Sequence, residues 1–500
     1  MALPHDLRRG EKPMSTFHPL GRLSVALSAV ALAACASLQP VSLDTAAAAL
    51  KADDVHAIEV SGTGNWYQFG QAPAPGLPWP AFAVSRYSAS IDYDHAAARV
   101  QITRRQIVEP GRERPAPVDQ VVDQYVAATQ AWNRGTAANG PVTPQPAAVA
   151  ERAAEIWSTP QGFLKAAQAH HAETRRSFAG TEVSFNVDAK TRYVGLLNGR
   201  GEVERVQTWI DTPVLGDTLV ETRFSNYRVF DGIPFPAHIE RSQGGHPVLD
   251  LTVSAVNAKA APLAAAPALT ATPPVAVGVN QLATGVYYLT GGTHHSVAIE
   301  QRDNWVLVEA PLNEERSLAL IAQLKKLAPN KPIRTVVNTH VHFDHSGGLR
   351  TLVAEGATVV TAQANQPYYE QAWAAPRTLN PDRLSVSGRS AQFETFSGRK
   401  VLSDGQRQIE VIEIAGNGHN DAFALIWLPA EKVLIEADAY TPGPANAPVA
   451  TPANPYTVNL YQNIQRLGLD VQQIAALHGP RVTTLADLRA AVGQAPTAQR

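Results

Sequence analysis

A single cysteine, Cys35, stands in 500 residues, so no disulfide can form within the chain and its cores must hold by packing alone. Neither sign of charge dominates: 42 basic against 44 acidic residues leave a formal net charge of −2. With no basic field, nothing advertises a nucleic-acid partner, and a small neutral or mixed-charge substrate fits better. Long apolar runs are missing too. The stretch "LSVALSAVALAA" (23–34) falls short of the roughly 20 residues a helix needs to span a bilayer core, and no later stretch is apolar enough. No integral membrane segment is expected. What remains, 45% hydrophobic and 17% charged, is an ordinary globular composition on a chain long enough for at least two domains.

The first 36 residues read as an export signal, because Arg8, Arg9, Lys12 and Arg22 precede that apolar run. The segment "LAAC" (32–35) resembles a bacterial lipoprotein signal, in which cleavage leaves Cys35 first and lipidated. Ala34-Cys35-Ala36 also satisfies ordinary cleavage between small residues, so both processing routes stay open. Met14 offers a second start, and Arg8-Arg9 lack the residues that usually follow a twin arginine. An exported protein is expected, free in the bacterial periplasm or facing it from a membrane through the Cys35 lipid.

Residues 37–257 read as one α+β domain. Alternating segments at 81–94 and 98–108 predict antiparallel strands with one wet face, and helical spacing takes over at 145–157 and 160–176. Strands return at 184–198, 203–211, 218–232, 235–245 and 248–257, which implies a broad, curved antiparallel sheet. This succession is similar in pattern to periplasmic lipoprotein-carrier half-barrels. His170 and His171 are expected on a solvated helix face. Residues 258–276, "AKAAPLAAAPALTATPPVA", form an Ala/Pro-rich linker that predicts an extended spacer.

From 277 to 500 strand and helix signals alternate. Strands at 285–292 and 295–311, the latter turning at Asp303-Asn304, lead to an amphipathic helix at 314–327. The strand 333–339, helix 346–356 and strand 357–362 make a βαβ unit, with Gly356 placed to end the helix. Between that first strand and its helix lies "NTHVHFDHSGG" (338–348), which gathers three of the chain's 15 histidines and an aspartate. The carboxyl end of a buried strand is where open α/β sheets keep their sites.

His340 and His342, two apart on an extended segment, project to one side, while Asp344 and His345 follow in the turn. Imidazole nitrogen and carboxylate oxygen are ligands for zinc and its neighbours. Four such groups on so short a loop cannot all reach one small ion, so two metals sharing the cluster is the natural solution. Three more element ends supply further ligands: His419 in "GNGHND", Asp438 ending "KVLIEAD" and His478 ending "QQIAALH".

This set, H-x-H-x-D-H followed by His, Asp and His, resembles the metallo-β-lactamase superfamily over residues 280–482. The resemblance implies an αββα sandwich. It also implies that one cation takes His340, His342 and His419 while the other takes Asp344, His345 and His478, with Asp438 and a hydroxide bridging them. Two divalent cations are therefore expected, with zinc first and iron or manganese as alternatives. Asp344 and Asp438 are the expected catalytic residues, accepting hydrogen bonds that orient the hydroxide. Some β-lactamases of the superfamily place cysteine at the second metal; here Asp438 holds the strand-end position, which resembles the thioesterase and lactonase branches. Nuclease members usually insert a domain that the short step from His419 to Asp438 leaves no room for. Around the ring, "GGTHH" (291–295) brings His294 and His295 into view as substrate contacts or as a polar loop tip. Tyr440, in a proline-rich loop, is a candidate oxyanion donor or an ordinary loop residue.

The expected activity is metal-dependent hydrolysis of an ester, thioester, lactone or lactam. Two alternatives belong to other classes: a lipid or hydrophobe carrier built on the amino-terminal half, and a flavodiiron-like oxidoreductase. The latter usually replaces a histidine by an acid and carries a flavin domain that this sequence does not show.

Overall fold

The computed structural model describes residues 41–493 except 138–139, 264–265, 268 and 270–272. The leader, with Cys35 and its lipidation, lies outside the described residues. Among the described residues no helix is long and apolar enough to cross a membrane.

Thirteen strands between Ala57 and Asn257 form one antiparallel sheet. Six run outward from Ala57–Tyr67 to the edge strand Val142–Pro144. Two helices, Val149–Trp157 and Pro160–Ala169, cross to the opposite edge at Glu173–Ser177, and seven strands then return until His246–Asn257 pairs with the first. The helix Val149–Trp157 touches both Ala97–Gln106 and Val203–Thr212, which stand six places apart in the sheet. Flat, those strands would be about 29 Å apart at about 4.8 Å per step, far more than a nine-residue helix can bridge. The sheet must therefore curl around the helices. Into its hollow pack Ile58, Val60, Phe163, Leu164, Tyr193, Phe235 and Leu251, all buried. The curved sheet expected from the alternation is present.

Two of the boundaries that differ from expectation have a clear local cause. The helix predicted through 176 stops at Ala169, because His171 takes φ +51° and the chain turns into the edge strand Glu173–Ser177; His170 and His171 stay exposed. The strand predicted over 184–198 is broken by a tight turn, where Asp188 accepts from the backbone N–H groups of Lys190 and Thr191.

The described part of 258–276 contains no helix and only one isolated bridge, Lys259 with Ala57. Beyond it, a seven-stranded sheet (278–396) faces a six-stranded one (399–484). Between them pack Val286, Val308, Val337 and Val360 from the first and Ile409, Leu425 and Ile435 from the second. Glu314–Leu327, Leu349–Ala354 and Gln366–Trp373 cover the outer face of the first sheet. Pro455–Leu467 and Leu485–Ala491 cover the second. This is the expected αββα sandwich. Although no strand of one half pairs with the other among the described residues, loops of the two interlock and the chain from Val41 forms one unit.

Candidate metal centre

The buried parallel strand Ile333–Val337 delivers the histidine-rich loop to the edge of the sandwich. Asn338 then fastens the turn. Its side-chain N–H donates to the His340 carbonyl at 2.7 Å, and its oxygen accepts from Tyr369 at 2.8 Å. The two glycines that close the motif are close-approach positions: a Cβ on Gly347 would lie 1.9 Å from the Leu312 carbonyl, and one on Gly348 2.1 Å from Ser317 Oγ. The ligand turn and the start of Glu314–Leu327 thus press together backbone to backbone.

All seven predicted ligands converge. Asp438 is the hub. Its Oδ2 lies 2.8 Å from His419 Nε2, 3.1 Å from His345 Nε2 and 3.2 Å from His340 Nε2, while its Oδ1 lies 2.7 Å from His478 Nε2. Two groups can each hold a cation: His340, His342, His419 and Asp438, and His294, Asp344, His345 and His478. They match the partition expected from the resemblance, with His294 added.

The donor chemistry fits metal. His342 Nδ1 is buried without a hydrogen-bond partner, and His340 Nε2 and His419 Nε2 are buried with only the shared Asp438 carboxylate beside them, out of hydrogen-bond alignment, which is costly unless something binds them. The opposite nitrogens are used to orient the rings: His342 Nε2 donates to the Ala72 carbonyl at 3.0 Å, and His340 Nδ1 sits 2.9 Å from Thr339 Oγ1. His478 Nδ1 donates to the Thr293 carbonyl at 3.1 Å. Such outer bonds fix the tautomer that leaves a lone pair facing the metal. Burial holds His340 down to about 3, reinforced by His345, so it stays neutral. For Asp438 burial opposes ionisation, but His345 and His419 outweigh it and keep the carboxylate charged.

Several site residues were not visible in the sequence. Glu309, fully buried at the end of Trp305–Val308, accepts the Thr339 N–H at 2.5 Å and stands 3.5 Å behind His345 Nδ1. An acid closing an apolar strand was the only signal. Glu436 accepts from the backbone N–H groups of Ala439 and Tyr440, both at 3.0 Å, shaping the turn that carries Asp438. Tyr456 stands edge-on to His419 with ring centroids 5.4 Å apart. From the amino-terminal half, a strap at 68–80 lies over both ligand loops. Gln71 Nε2 donates to Asp344 Oδ1 at 2.8 Å, the Ala72 carbonyl also accepts from Asn420 at 3.2 Å, and Phe343 N–H donates to the Gly70 carbonyl at 3.1 Å.

The flanking candidates separate. His294 is 8% exposed and belongs to the second group. His295 is turned away, its Nδ1 accepting from the Gly291 N–H and its Nε2 donating to the Gly479 carbonyl at 2.8 Å, so neither nitrogen is free for substrate. Tyr440 is 9% exposed and packs into the sandwich core, with Asp487 and Arg481 as charged neighbours.

Comparison with known proteins places this region. Residues 289–445 match the family model described as the metallo-beta-lactamase superfamily. Among solved structures, the chain is similar to a metallo-beta-lactamase from Pontibacter korlensis at 19% identity, covering 43% of this chain and 97% of that one with a TM-score of 0.34. It is similar to FIM-1 from Pseudomonas aeruginosa, solved in a mono-zinc form, at 19% identity, 44% and 96% coverage and a TM-score of 0.33. It is likewise similar to an enzyme of that type from Hirschia baltica, at 19% identity, 44% and 97% coverage and a TM-score of 0.33. No curated protein matches. The carboxy-terminal region of this chain has the fold of the metallo-β-lactamase superfamily.

Proposed function

We propose that the chain is a binuclear metal-dependent hydrolase acting on an ester, thioester, lactone or lactam. The observation that carries this reading is the hub geometry: one half-buried carboxylate, Asp438, touches histidines of both ligand groups. His340, His342 and His419 would hold one divalent cation, and Asp344, His345 and His478 the other, zinc being the first choice for such nitrogen and oxygen donors. Bound there, the pair supplies Lewis acidity and lowers the pKa of water to about 7. The residues do the rest. Asp438 and Asp344, both ionised, accept hydrogen bonds from the attacking water and aim it. Gln71 holds Asp344 in place, and Glu309 and Glu436 fix the turns that carry His345 and Asp438. The basic and apolar leader with Cys35 behind it supports an exported enzyme, anchored or free.

The test is metal analysis of the purified full chain with a panel of lactam, lactone, thioester and ester substrates, with and without chelator. About two cations per chain and chelator-sensitive cleavage are expected, with activity lost in His342→Ala and Asp438→Ala. Full turnover by either variant would refute the assignment.

One observation favours a second role for the amino-terminal half, the binding of a hydrophobic ligand. A cavity of about 300 Å³ opens at the curled sheet, with Tyr87, Ile102 and Leu249 on an apolar side and Glu151, Arg152 and Arg241 on a charged one, which suits an apolar chain carrying a polar head. Displacement of a fluorescent fatty acid from the full chain tests it, and a Leu249→Trp variant that binds as well as the parent would remove this reading.

A further inference from the structure

We propose that His294 is a metal ligand, an imidazole beyond the seven-residue pattern that gives the second cation the donor set His294, Asp344, His345 and His478. This deepens the two-cation reading and rests on it. The geometry is that of a coordination shell. Ligands about 2.0–2.1 Å from a tetrahedral zinc stand about 3.3 Å from one another. Here His294 Nε2 lies 3.1 Å from Asp344 Oδ2, His345 Nε2 lies 3.0 Å from His478 Nε2, and His345 Nε2 lies 3.9 Å from Asp344 Oδ2. The other nitrogen of His294 is 2.8 Å from Thr293 Oγ1, so a proton on Nδ1 has an acceptor while Nε2 ligates.

The position is built rather than incidental. His294 forms an isolated antiparallel bridge with His478, and the His295 N–H donates to the Leu477 carbonyl at 2.9 Å, so backbone pairing sets the two ligand residues side by side. Their rings are 4.2 Å apart. Arg316, itself buried, clamps the same turn by donating to the Leu289 carbonyl at 3.2 Å and reaching the His294 carbonyl at 3.5 Å. A side chain 10% exposed and locked at both ring and backbone is poorly placed to greet substrate and well placed to hold an ion. Counting Asp438 with each cation, the second has one protein donor more than the first.

The experiment is titration of metal-free full chain with cobalt(II), read by visible absorption and by competition with a chelator, for the parent and for His294→Phe. The parent should bind two equivalents. His294→Phe should bind one of them at least tenfold more weakly with an altered visible band, and the other unchanged. Two equivalents with parental affinity and spectrum in a folded His294→Phe would overturn the inference alone, whereas a parent that binds no cobalt would overturn the two-cation reading with it. Should the variant not fold, proton NMR of the cobalt-loaded parent decides: six paramagnetically shifted imidazole N–H signals support the assignment and five refute it.

Discussion

Replacing Gln71 with methionine keeps the length of the side chain and removes its donor. In the parent, that donor reaches Asp344 Oδ1 at 2.8 Å from a half-buried position, across an interface that joins residues 273 apart in sequence. A hydrogen bond to an ionised carboxylate contributes about 1.5–3 kcal/mol, and loss of such an outer bond to a metal ligand weakens metal affinity about 10–100-fold. The expected result of Gln71→Met is therefore a cation bound about 10–100-fold more weakly, equivalent to about 1.4–2.7 kcal/mol, and confined to the site that includes Asp344. The cation held by His340, His342 and His419 should bind as before, because the strap reaches that set through the Ala72 carbonyl, which the substitution leaves in place. The assay is chelator competition on the purified protein, with thermal melting of the metal-free form as a control for folding. Unchanged affinity at both sites would show that the strap merely lies over the loop; equal weakening at both would point to a general loosening instead of a specific bond.

Three further outcomes are expected. A Cβ on Gly418 would fall 1.7 Å from the Glu113 carbonyl, so Gly418→Ala must push apart the two loops next to His419 and should cost about 1–3 kcal/mol; an unchanged urea midpoint would contradict that contact. Asp382 is held down to about 2: burial opposes its charge, but Arg350, the Ser385 N–H and Arg377 outweigh it. Because its folded pKa lies below the unfolded value of about 3.9, its contribution is present above about pH 4 and is lost as pH falls toward about 2. Asp382→Asn should thus be less stable by about 1–2 kcal/mol at pH 6, allowing for solvent on its open side, with the difference vanishing near pH 2; parallel stability curves would refute this. Removing metal should lower the melting temperature, since a ligand at 100 times its Kd stabilises by about 2.7 kcal/mol, and re-addition of zinc should restore it; a melt indifferent to chelator would count against bound cations.

The ligand ring was legible because its chemistry is written locally. His340 and His342 share a side by strand geometry, Asp344 and His345 follow in the turn, and His419, Asp438 and His478 each sit beside an apolar strand. The sandwich was legible for the same reason: runs such as Ile333–Val337 and Ala424–Leu428 are buried and apolar throughout. What stayed hidden depends on partners distant in sequence. Nothing in "FGQAPAPGLPWP" (69–80) distinguishes it from a surface loop until Phe343 and Asp344 arrive beneath it. His294 and His295 are equivalent in the string. Only the bridge to His478 turns one into the cluster and the other toward Gly479. Tyr440 was drawn toward the site by its nearness to Asp438 in sequence, yet Glu436 captures its backbone N–H and its ring enters the core, while Tyr456 comes to stand against His419.

The strap also bears on whether the two halves are separate devices in one chain. A carrier with an idle metal domain would have no need for its loops to touch the ligands. Here Ala72 accepts from His342 and from Asn420, the Pro73 carbonyl accepts from the Asp421 N–H at 2.8 Å, and Arg112 forms a two-pronged pair with Asp421 at 2.7 and 3.0 Å. These bonds fall on the loops that carry His342 and His419, two of the four residues of one group. At its other end the strap begins with Gln68 and Phe69, which line the cavity of the curled sheet. The hollow of one half and the candidate metal centre of the other are therefore joined by a few residues of backbone.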